Sequence, residues 1–331
     1  MEKETNGVAK TSSLKKFGKK LFSVRELTIL TILILFCSVL AVTSENFMSL
    51  SNFRVILTGL SYEMIVCAFM AITLIGGMID FSVGSVLGLG GFICSLLLLK
   101  GINVWICILI TLVIGFLLGS VNGIIVSKLG ILPMVGTMGT WMAYKGLGLA
   151  LIKNQSIGSL PSSIKVFGQK WEILGIPFSI VLMVVVCFVA WFLLKYVPFF
   201  HQAFYIGENR ESATLAGIST KKFTVVSYAL TGMMASLAGI MSISRFGSAP
   251  STMGQGLEFK MVTALLIGGV SFSGGGGSIF GAFLGALMMQ IITNALAMFN
   301  IESNLQNVVV GIILIVAVAI DEYNQKRRRG A

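Results

Sequence analysis

The stretch LIGGMIDFSVGS, from Leu74 to Ser85, places one acidic residue and several small residues between two strongly apolar segments. A carboxylate such as Asp80 is costly in lipid, so it is expected to face protein, water or a partner. A second stretch, LIGGVSFSGGGGS from Leu266 to Ser278, has similar lettering but no acid. Glycines let backbones approach one another and turn. Both stretches therefore predict tight connections between helices.

The composition is that of a membrane protein. Of the 331 residues, 56% are hydrophobic and only 11% are charged, and the mean hydropathy is +0.93. Such a chain has too little polar surface to cover a soluble globule. The net charge of +11 comes mainly from the chain ends and connections, which membrane orientation explains better than a nucleic-acid partner. The five cysteines have no metal or redox spacing and His201 stands alone, so no metal site is expected.

Long apolar segments follow one another along most of the chain. A transmembrane helix needs about 20 mostly apolar residues, and ten segments meet this loosely: 27–43, 55–77, 81–99, 104–127, 131–152, 178–198, 222–245, 258–272, 279–299 and 305–320. We therefore predict an all-α membrane protein with about ten transmembrane helices. The eighth segment is short, and the second and third have almost no polar loop between them, so one of these could be broken or re-entrant.

Basic residues before the first segment and after the last place both termini in the cytoplasm, which an even number of crossings allows. The chain then divides into a basic tail at 1–26, a transmembrane domain at 27–320 and a second basic tail at 321–331. A cleaved signal peptide is the alternative for residues 1–44, but the apolar core is long and many further spans follow. Residues 14–25 predict either a helix lying on the lipid surface or a disordered basic tail.

Two polar connections are long enough to carry a function. The outer one, Lys153 to Pro177, has an alternating pattern that predicts a short hairpin. The cytoplasmic one, residues 201–222, contains a short helix with the sequence RESATLA. Asn209 can cap the beginning of this helix, and Gly217 stands where a helix ends in the left-handed conformation.

The short cytoplasmic helix also predicts a docking surface. Ala213 and Ala216 leave a small-residue face between the charged Arg210 and Glu211. Such a face suits a cleft in another protein. An ordinary capped loop helix is the alternative.

No pattern for catalysis or nucleotide binding is present in the sequence. Nothing matches G-x-x-x-x-G-K-[ST], and the glycines at 274–277 lack the lysine and hydroxyl that phosphate binding needs. No histidine, cysteine or acid pair has the grouping of a nucleophilic or metal site. We therefore predict that the chain is not an enzyme and that any ATP is hydrolysed on another protein.

Three motifs give a resemblance to a known family: GGMIDFSVGSVLGLGG, FYIGENRESATLAGI and LIGGVSFSGGGGSIFGAFLGA. In order and spacing they resemble bacterial ABC-type sugar importer permeases of the ribose/galactoside class, over nearly the whole chain after residue 44. The resemblance implies a helical fold like that of the vitamin B12 importer's membrane subunit, the type II permease fold. It also implies a multi-pass location in the bacterial cytoplasmic membrane.

The same resemblance implies partners. These are a cytoplasmic ABC ATPase that binds ATP and Mg, an extracytoplasmic sugar-binding protein and the membrane lipid, with no cofactor on this chain. Ile206 to Ile218 becomes the coupling helix that the ATPase grips, and the residues assigned to this role are Asn209, Arg210, Glu211, Ala213, Ala216 and Gly217. Two ATPase subunits need two docking helices, so a second permease copy is expected, in a homodimer or a similar heterodimer.

A sugar path needs hydroxyl partners and aromatic faces but no tight site. The candidates for this path are Asp80, Ser82, Asn122, Thr137, Thr140 and Trp141. Each could instead join helices together. For Asp80 we favour a structural role, as a cap that accepts hydrogen bonds from the first amides of the third segment. Glu258 and Lys260 are expected at the outer mouth of the eighth segment, facing the binding protein or reaching to the interface.

The sequence therefore favours the permease subunit of an ATP-driven importer for a simple sugar. The alternative is a secondary transporter driven by an ion gradient, with Asp80 or Glu63 as its proton site. The two differ in their energy source, which is ATP in one case and an ion gradient in the other. Pentoses, galactosides, inositol, a sugar-like signalling molecule and nucleosides all remain open as cargo.

Overall fold

The computed structural model describes residues 24–329, with side chains for residues 26–323. The helix or disordered tail predicted at 14–25 therefore lies almost wholly outside the described residues. The described chain is mainly helical, and its α-helices in order are α1 (Val24–Thr43), α2 (Leu50–Ile75), α3 (Val83–Leu99), α4 (Val104–Ser127), α5 (Pro133–Leu151), α6 (Ser162–Lys165), α7 (Phe178–Tyr196), α8 (Pro198–His201), α9 (Ala203–Glu208), α10 (Arg210–Leu215), α11 (Thr220–Phe246), α12 (Leu257–Ile267), α13 (Ile279–Met298) and α14 (Ser303–Arg329).

Each of the ten predicted apolar segments overlaps one of the longer helices, which are α1 to α5, α7 and α11 to α14. Within residues 24–329, seven are long and apolar enough to cross a membrane: α1, α2, α4, α7, α11, α13 and α14. Helix α3 is apolar but shorter, with 17 residues. Helix α12 has only 11 residues, so at 1.5 Å per residue it is far shorter than the hydrocarbon core of about 30 Å. The eighth segment thus fits the broken or re-entrant alternative, and the count of ten crossings stays a prediction.

Helix α11 lies at the centre of the bundle and packs against α2, α3 and α4. Its contact with α4 is unusually close because Gly115, Gly119 and Gly123 stand four residues apart on the facing side. A Cβ on Gly119 would collide with the carbonyl oxygen of Tyr228, and one on Gly123 would lie 2.5 Å from the Cα of Val225. Small residues at this spacing let two membrane helices approach backbone to backbone.

The two LIGG stretches form two connections that touch each other. We call Gly76–Ser82, between α2 and α3, the first glycine loop, and Gly268–Ser278, between α12 and α13, the second glycine loop. The second glycine of each pair is left-handed, with φ of +75° at Gly77 and +84° at Gly269, a conformation that favours glycine. The prediction of two tight connections is confirmed.

Both ends of the described chain lie beside the second glycine loop. The hydroxyl of Ser278 donates to the carboxylate of Glu26 in α1. The amide of Phe272 donates to the carboxylate of Asp321 in α14 at 3.0 Å. We call this side of the bundle the loop face. Helix α14 continues to Arg329, so most of the tail predicted at 321–331 prolongs the last helix.

The long connection before α7 lies at the opposite end of α11. It contains α6, a π-helical turn at Val166–Lys170 and two strands, β1 (Glu172–Ile173) and β2 (Ile176–Pro177), paired antiparallel. The predicted short hairpin is therefore confirmed. The connection is held to the end of α11 because the Gln169 side chain donates to the Arg245 carbonyl oxygen at 2.9 Å.

Candidate translocation and coupling sites

A buried polar network surrounds Asp80 in the first glycine loop. One carboxylate oxygen of Asp80 accepts hydrogen bonds from the Ser82 amide at 2.9 Å and the Ser82 hydroxyl at 2.7 Å. The side-chain amide of Asn122 in α4 donates to the same hydroxyl at 2.6 Å. Asp80 is only 1% exposed, so the carboxylate faces protein, as its cost in lipid requires.

The predicted role of Asp80 is confirmed in part, because it accepts from the amide of Ser82, inside the third segment predicted at 81–99, but it does not cap the helix itself. The first residue of α3 is Val83, and Ser82 is the residue that precedes the helix. Asp80 binds Ser82 rather than an amide inside the helix, so it stabilises the turn that leads into α3 instead of the helix end. Its second carboxylate oxygen is buried with no hydrogen-bond partner among the described residues.

Helices α5 and α11 also hold the first glycine loop, and α5 is in turn bonded to α4. The amide of Phe81 donates to the hydroxyl of Thr137 in α5 at 3.2 Å. The hydroxyl of Tyr228 in α11 donates to the carbonyl oxygen of Ile79 at 2.7 Å. The hydroxyl of Tyr144 in α5 lies 3.1 Å from the Leu118 carbonyl oxygen and 3.4 Å from the side-chain oxygen of Asn122.

Sequence reasoning missed the two tyrosines. A signal was available, because a tyrosine hydroxyl buried in an apolar span needs a hydrogen-bond partner. Tyr228 is 0% exposed and Tyr144 is 6% exposed. Both hydroxyls reach backbone carbonyl oxygens, as the physical rule requires.

The structure separates the six candidate path residues into two groups. Asp80, Ser82, Asn122 and Thr137 lie in or beside the network and are each at most 1% exposed. The Thr140 hydroxyl donates to the carbonyl oxygen of Thr137 at 3.1 Å. Trp141 lies apart from them and lines a pocket. Contact of any of the six with cargo stays a prediction.

This pocket is small and lies between α3, α5 and the turn that precedes α12. Its lining includes Ser85, Trp141, Lys145 and Met253. Its volume is about 20 Å³, which is room for about one water molecule. The Lys145 ammonium lies 5.3 Å from the ring centroid of Trp141, within the range of a cation–π interaction.

The expected exposure of Glu258 and Lys260, toward the binding protein or the interface, is wrong, because both side chains are largely buried. Glu258 is 1% exposed, and the Lys260 side chain is 14% exposed. The ammonium of Lys260 lies 2.6 Å from the Glu63 carboxylate, and it also donates to the side chains of Gln290 at 2.9 Å and Thr293 at 3.1 Å. A lysine ammonium has three protons, so this cluster uses them all and ties α12 to α2 and α13.

The short cytoplasmic helix has both predicted ends. The side chain of Asn209 accepts from the Ser212 amide at 2.9 Å and so caps α10. Gly217 is left-handed, with φ of +83°. The amide of Gly217 donates to Thr214 and the amide of Ile218 donates to Ala213, each at 3.0 Å, which is the Schellman pattern of a helix end.

The exposed face of α10 differs from the predicted one. Ala213 is 4% exposed and packs into the main core, so it cannot belong to a docking surface. The helix presents Leu215 instead, which is 85% exposed, together with Glu211 and Ala216. Arg210 holds the helix to α11 through the Thr224 hydroxyl at 3.1 Å.

Comparison with known proteins identifies the family. Residues 52–318 match the family described as "Branched-chain amino acid transport system / permease component". The chain belongs to this permease family. The permease is 31% identical over 311 residues to the ribose import permease of Haemophilus influenzae, covering 93% of this chain and 95% of the relative. It is 30% identical over 321 residues to the D-allose transport system permease of Escherichia coli K12, covering 96% of this chain and 98% of the relative.

Another relative of the permease is the autoinducer 2 import system permease of Photorhabdus luminescens, 30% identical over 297 residues, covering 90% of this chain and 89% of the relative. No solved structure matches the chain significantly. The resemblance drawn from the three motifs is confirmed, and the permease is a multi-pass protein of the bacterial inner membrane.

The three motifs of the permease meet at the loop face. Gly207, in the second motif, lies between the two glycine loops. A Cβ on Gly207 would collide with the carbonyl oxygen of Ile75 and the amide nitrogen of Gly275. Helix α9, which leads into α10, therefore touches both loops at a point where no side chain fits.

Proposed function

We propose that the permease is the membrane-spanning subunit of an ATP-driven ABC importer and carries a simple sugar of the ribose/galactoside-like class. An extracytoplasmic binding protein delivers this sugar. The main support is the similarity to ribose and D-allose import permeases over more than nine tenths of the chain. The family description names branched-chain amino acids. The proposal that the cargo is a sugar therefore depends on the ribose and D-allose relatives and not on the family description.

The coupling role falls to α10. This helix is exposed, capped at both ends and joined through Gly207 to the two glycine loops. The partner ATPase, which binds ATP and Mg, grips α10 mainly through Leu215, with Glu211 and Ala216 beside it. Asn209, Arg210 and Gly217 fix the position of the helix, and Ala213 anchors it to the core.

The loop face is assigned to the cytoplasm, with both termini on that side and ten crossings in a type II permease fold. The support is the distribution of basic residues. The connections on this side carry Lys128, Lys195, Arg210, Lys221 and Lys222, in addition to the basic residues near both chain ends. Two copies, identical or similar, present two α10 helices to two ATPase subunits.

Of the six candidate path residues, Trp141 is assigned a contact with cargo because it lines the pocket. Asp80, Ser82, Asn122, Thr137 and Thr140 set the position of the first glycine loop. Apart from the second carboxylate oxygen of Asp80, their side chains are hydrogen-bonded within the protein, which leaves a sugar few free partners there.

An ion-coupled transporter is not favoured. The Glu63 carboxylate is paired with Lys260 at 2.6 Å, and one oxygen of Asp80 accepts two hydrogen bonds. Neither acid is arranged as an isolated proton site, and the relatives are import-system permeases.

The test is uptake in liposomes that contain the permease and its ATPase, with the sugar-loaded binding protein outside and ATP inside. Labelled D-ribose and D-allose are the probes. We expect accumulation of at least one sugar that requires ATP and survives a protonophore. Uptake without the ATPase that collapses with the protonophore would instead establish the ion-coupled alternative.

A further inference from the structure

A buried carboxylate lies behind the pocket without a proper partner. Glu258 stands in the first turn of α12 and is 1% exposed. Both of its carboxylate oxygens are buried with no hydrogen-bond partner among the described residues. Burying an ionised carboxylate without hydrogen bonds is strongly unfavourable. A buried acid whose two oxygens both lack a hydrogen-bond partner in the described part of the chain points to a ligand.

The surroundings of Glu258 direct it toward the pocket. Gly84 of α3 lines the pocket, and a Cβ on this residue would collide with a carboxylate oxygen of Glu258. The backbone amides of Glu258 and Gly256, the ammonium of Lys145 and the indole of Trp141 all lie close enough to favour the charged carboxylate, although none reaches hydrogen-bond geometry. The acid therefore lies beside Gly84, Trp141 and Lys145, three residues that line the pocket.

Lys145 supports the same assignment. It lies in the interior of the 19-residue helix α5, where a charged side chain facing lipid is costly and marks a functional position. Its ammonium packs over Trp141 at 5.3 Å. Together, the Lys145 ammonium and the Glu258 carboxylate supply one donor group and one acceptor group with no net charge, although they form no ion pair with each other.

We propose that Glu258, Lys145 and Trp141 form a sugar contact in the translocation path, an inference that rests on the proposed function. A sugar hydroxyl donates to the Glu258 carboxylate, and another accepts from the Lys145 ammonium. The apolar face of the sugar ring packs on the Trp141 indole. Because the two charges cancel, the contact suits a neutral polyhydroxylated cargo better than an ionised one.

The pocket volume sets when this contact forms. A volume of about 20 Å³ holds about one water molecule, which is far too small for a sugar ring. The contact therefore forms only when α5 moves away from α3 and the turn at 251–255. In the closed arrangement the Glu258 carboxylate has no hydrogen-bond donors among the described residues. The hydroxyl groups of the arriving sugar then donate to it.

The test compares sugar taken up with ATP hydrolysed in the same liposomes, at saturating D-ribose-loaded or D-allose-loaded binding protein. The isosteric Glu258→Gln should lower the uptake per ATP by about tenfold or more, the value of a hydrogen bond to a charged group. Trp141→Phe keeps an aromatic face and should retain most uptake, whereas Trp141→Leu should lose it. Thermal unfolding of each variant reports the amount of folded protein.

Glu63→Gln is the matched control, because it changes a buried glutamate outside the pocket. It should lower stability while leaving uptake per ATP unchanged for the folded complex. Wild-type uptake per ATP in Glu258→Gln would overturn the contact, and so would a loss that only follows the loss of folded protein. If the unaltered permease takes up no sugar with ATP, the proposed function fails, and the contact fails with it.

Discussion

The backbone amide of Gly275 donates a hydrogen bond to the carbonyl oxygen of Ile75 at 2.8 Å. This bond joins the second glycine loop to the end of α2. Gly207 of α9 packs against both atoms. The helix that leads into α10 is therefore in backbone contact with two loops that belong to different parts of the bundle.

Gly207→Ala should destabilise this junction, because the new Cβ meets backbone atoms that cannot move aside. We expect a loss of about 1–3 kcal/mol in the free energy of unfolding, the usual cost of overpacking. We also expect stimulation of the ATPase by the binding protein to fall. Gly276→Ala is the control, since a Cβ there meets nothing within 4 Å. Equal thermal stability for the two variants would contradict the close packing.

Leu215→Ser should weaken assembly with the ATPase while leaving the fold intact, because this side chain is 85% exposed. Burial of a leucine contributes about 1.5–3 kcal/mol, so affinity measured in detergent should fall roughly tenfold or more. Leu174→Ser is the matched control, being 98% exposed on the outer hairpin. If Leu215→Ser bound the ATPase as tightly as Leu174→Ser, α10 would not be the docking helix.

Lys260→Met should lower the free energy of unfolding by about 3–5 kcal/mol, because it leaves the Glu63 carboxylate buried and unpaired. Adding Glu63→Gln should recover much of this loss. Arg54→Gln serves as the comparison, since its pair with Glu172 is 3.6 Å long and its side chain is 56% exposed, so at most about 1 kcal/mol is expected. The measurement is thermal unfolding, in one detergent, of the unaltered permease, Lys260→Met, the double variant with Glu63→Gln, and Arg54→Gln. A similar loss of stability for Arg54→Gln and Lys260→Met would show that burial does not determine how much each ion pair contributes to stability.

Asp80→Asn should fold nearly normally, because an amide oxygen can still accept from the Ser82 amide and hydroxyl. Asp80→Leu removes both hydrogen bonds and should cost about 1–3 kcal/mol. The measurement is the thermal midpoint of each variant beside its sugar uptake. Asp80→Leu with normal stability and no uptake would assign the residue to the path instead of the turn.

Features that depend on local sequence were predictable. The Asn209 cap, the left-handed Gly217 and the outer hairpin each follow from a few adjacent residues. The ten apolar segments follow from composition over about 20 residues at a time. The glycine spacing of α4 at 115, 119 and 123 was also visible, although its partner α11 was not.

Features that depend on distant contacts were not predictable. Lys260 is 197 residues from Glu63 in sequence, so nothing local identifies the pair. Ala213 and Ala216 look alike in sequence, but only the packing of α10 decides which one is buried. Glu258 is buried because its carboxylate packs against Gly84 of α3, a contact that the local sequence does not show.

The glycine contact between α4 and α11 limits where the permease can deform. With backbone against backbone, neither helix can slide past the other without collisions between carbonyl groups and Cα atoms. A rigid-body unit of this kind behaves as a fixed frame. If the proposed sugar contact opens, the displacement that makes room for cargo therefore has to come from α5 and the turn that precedes α12, which lie outside this frame.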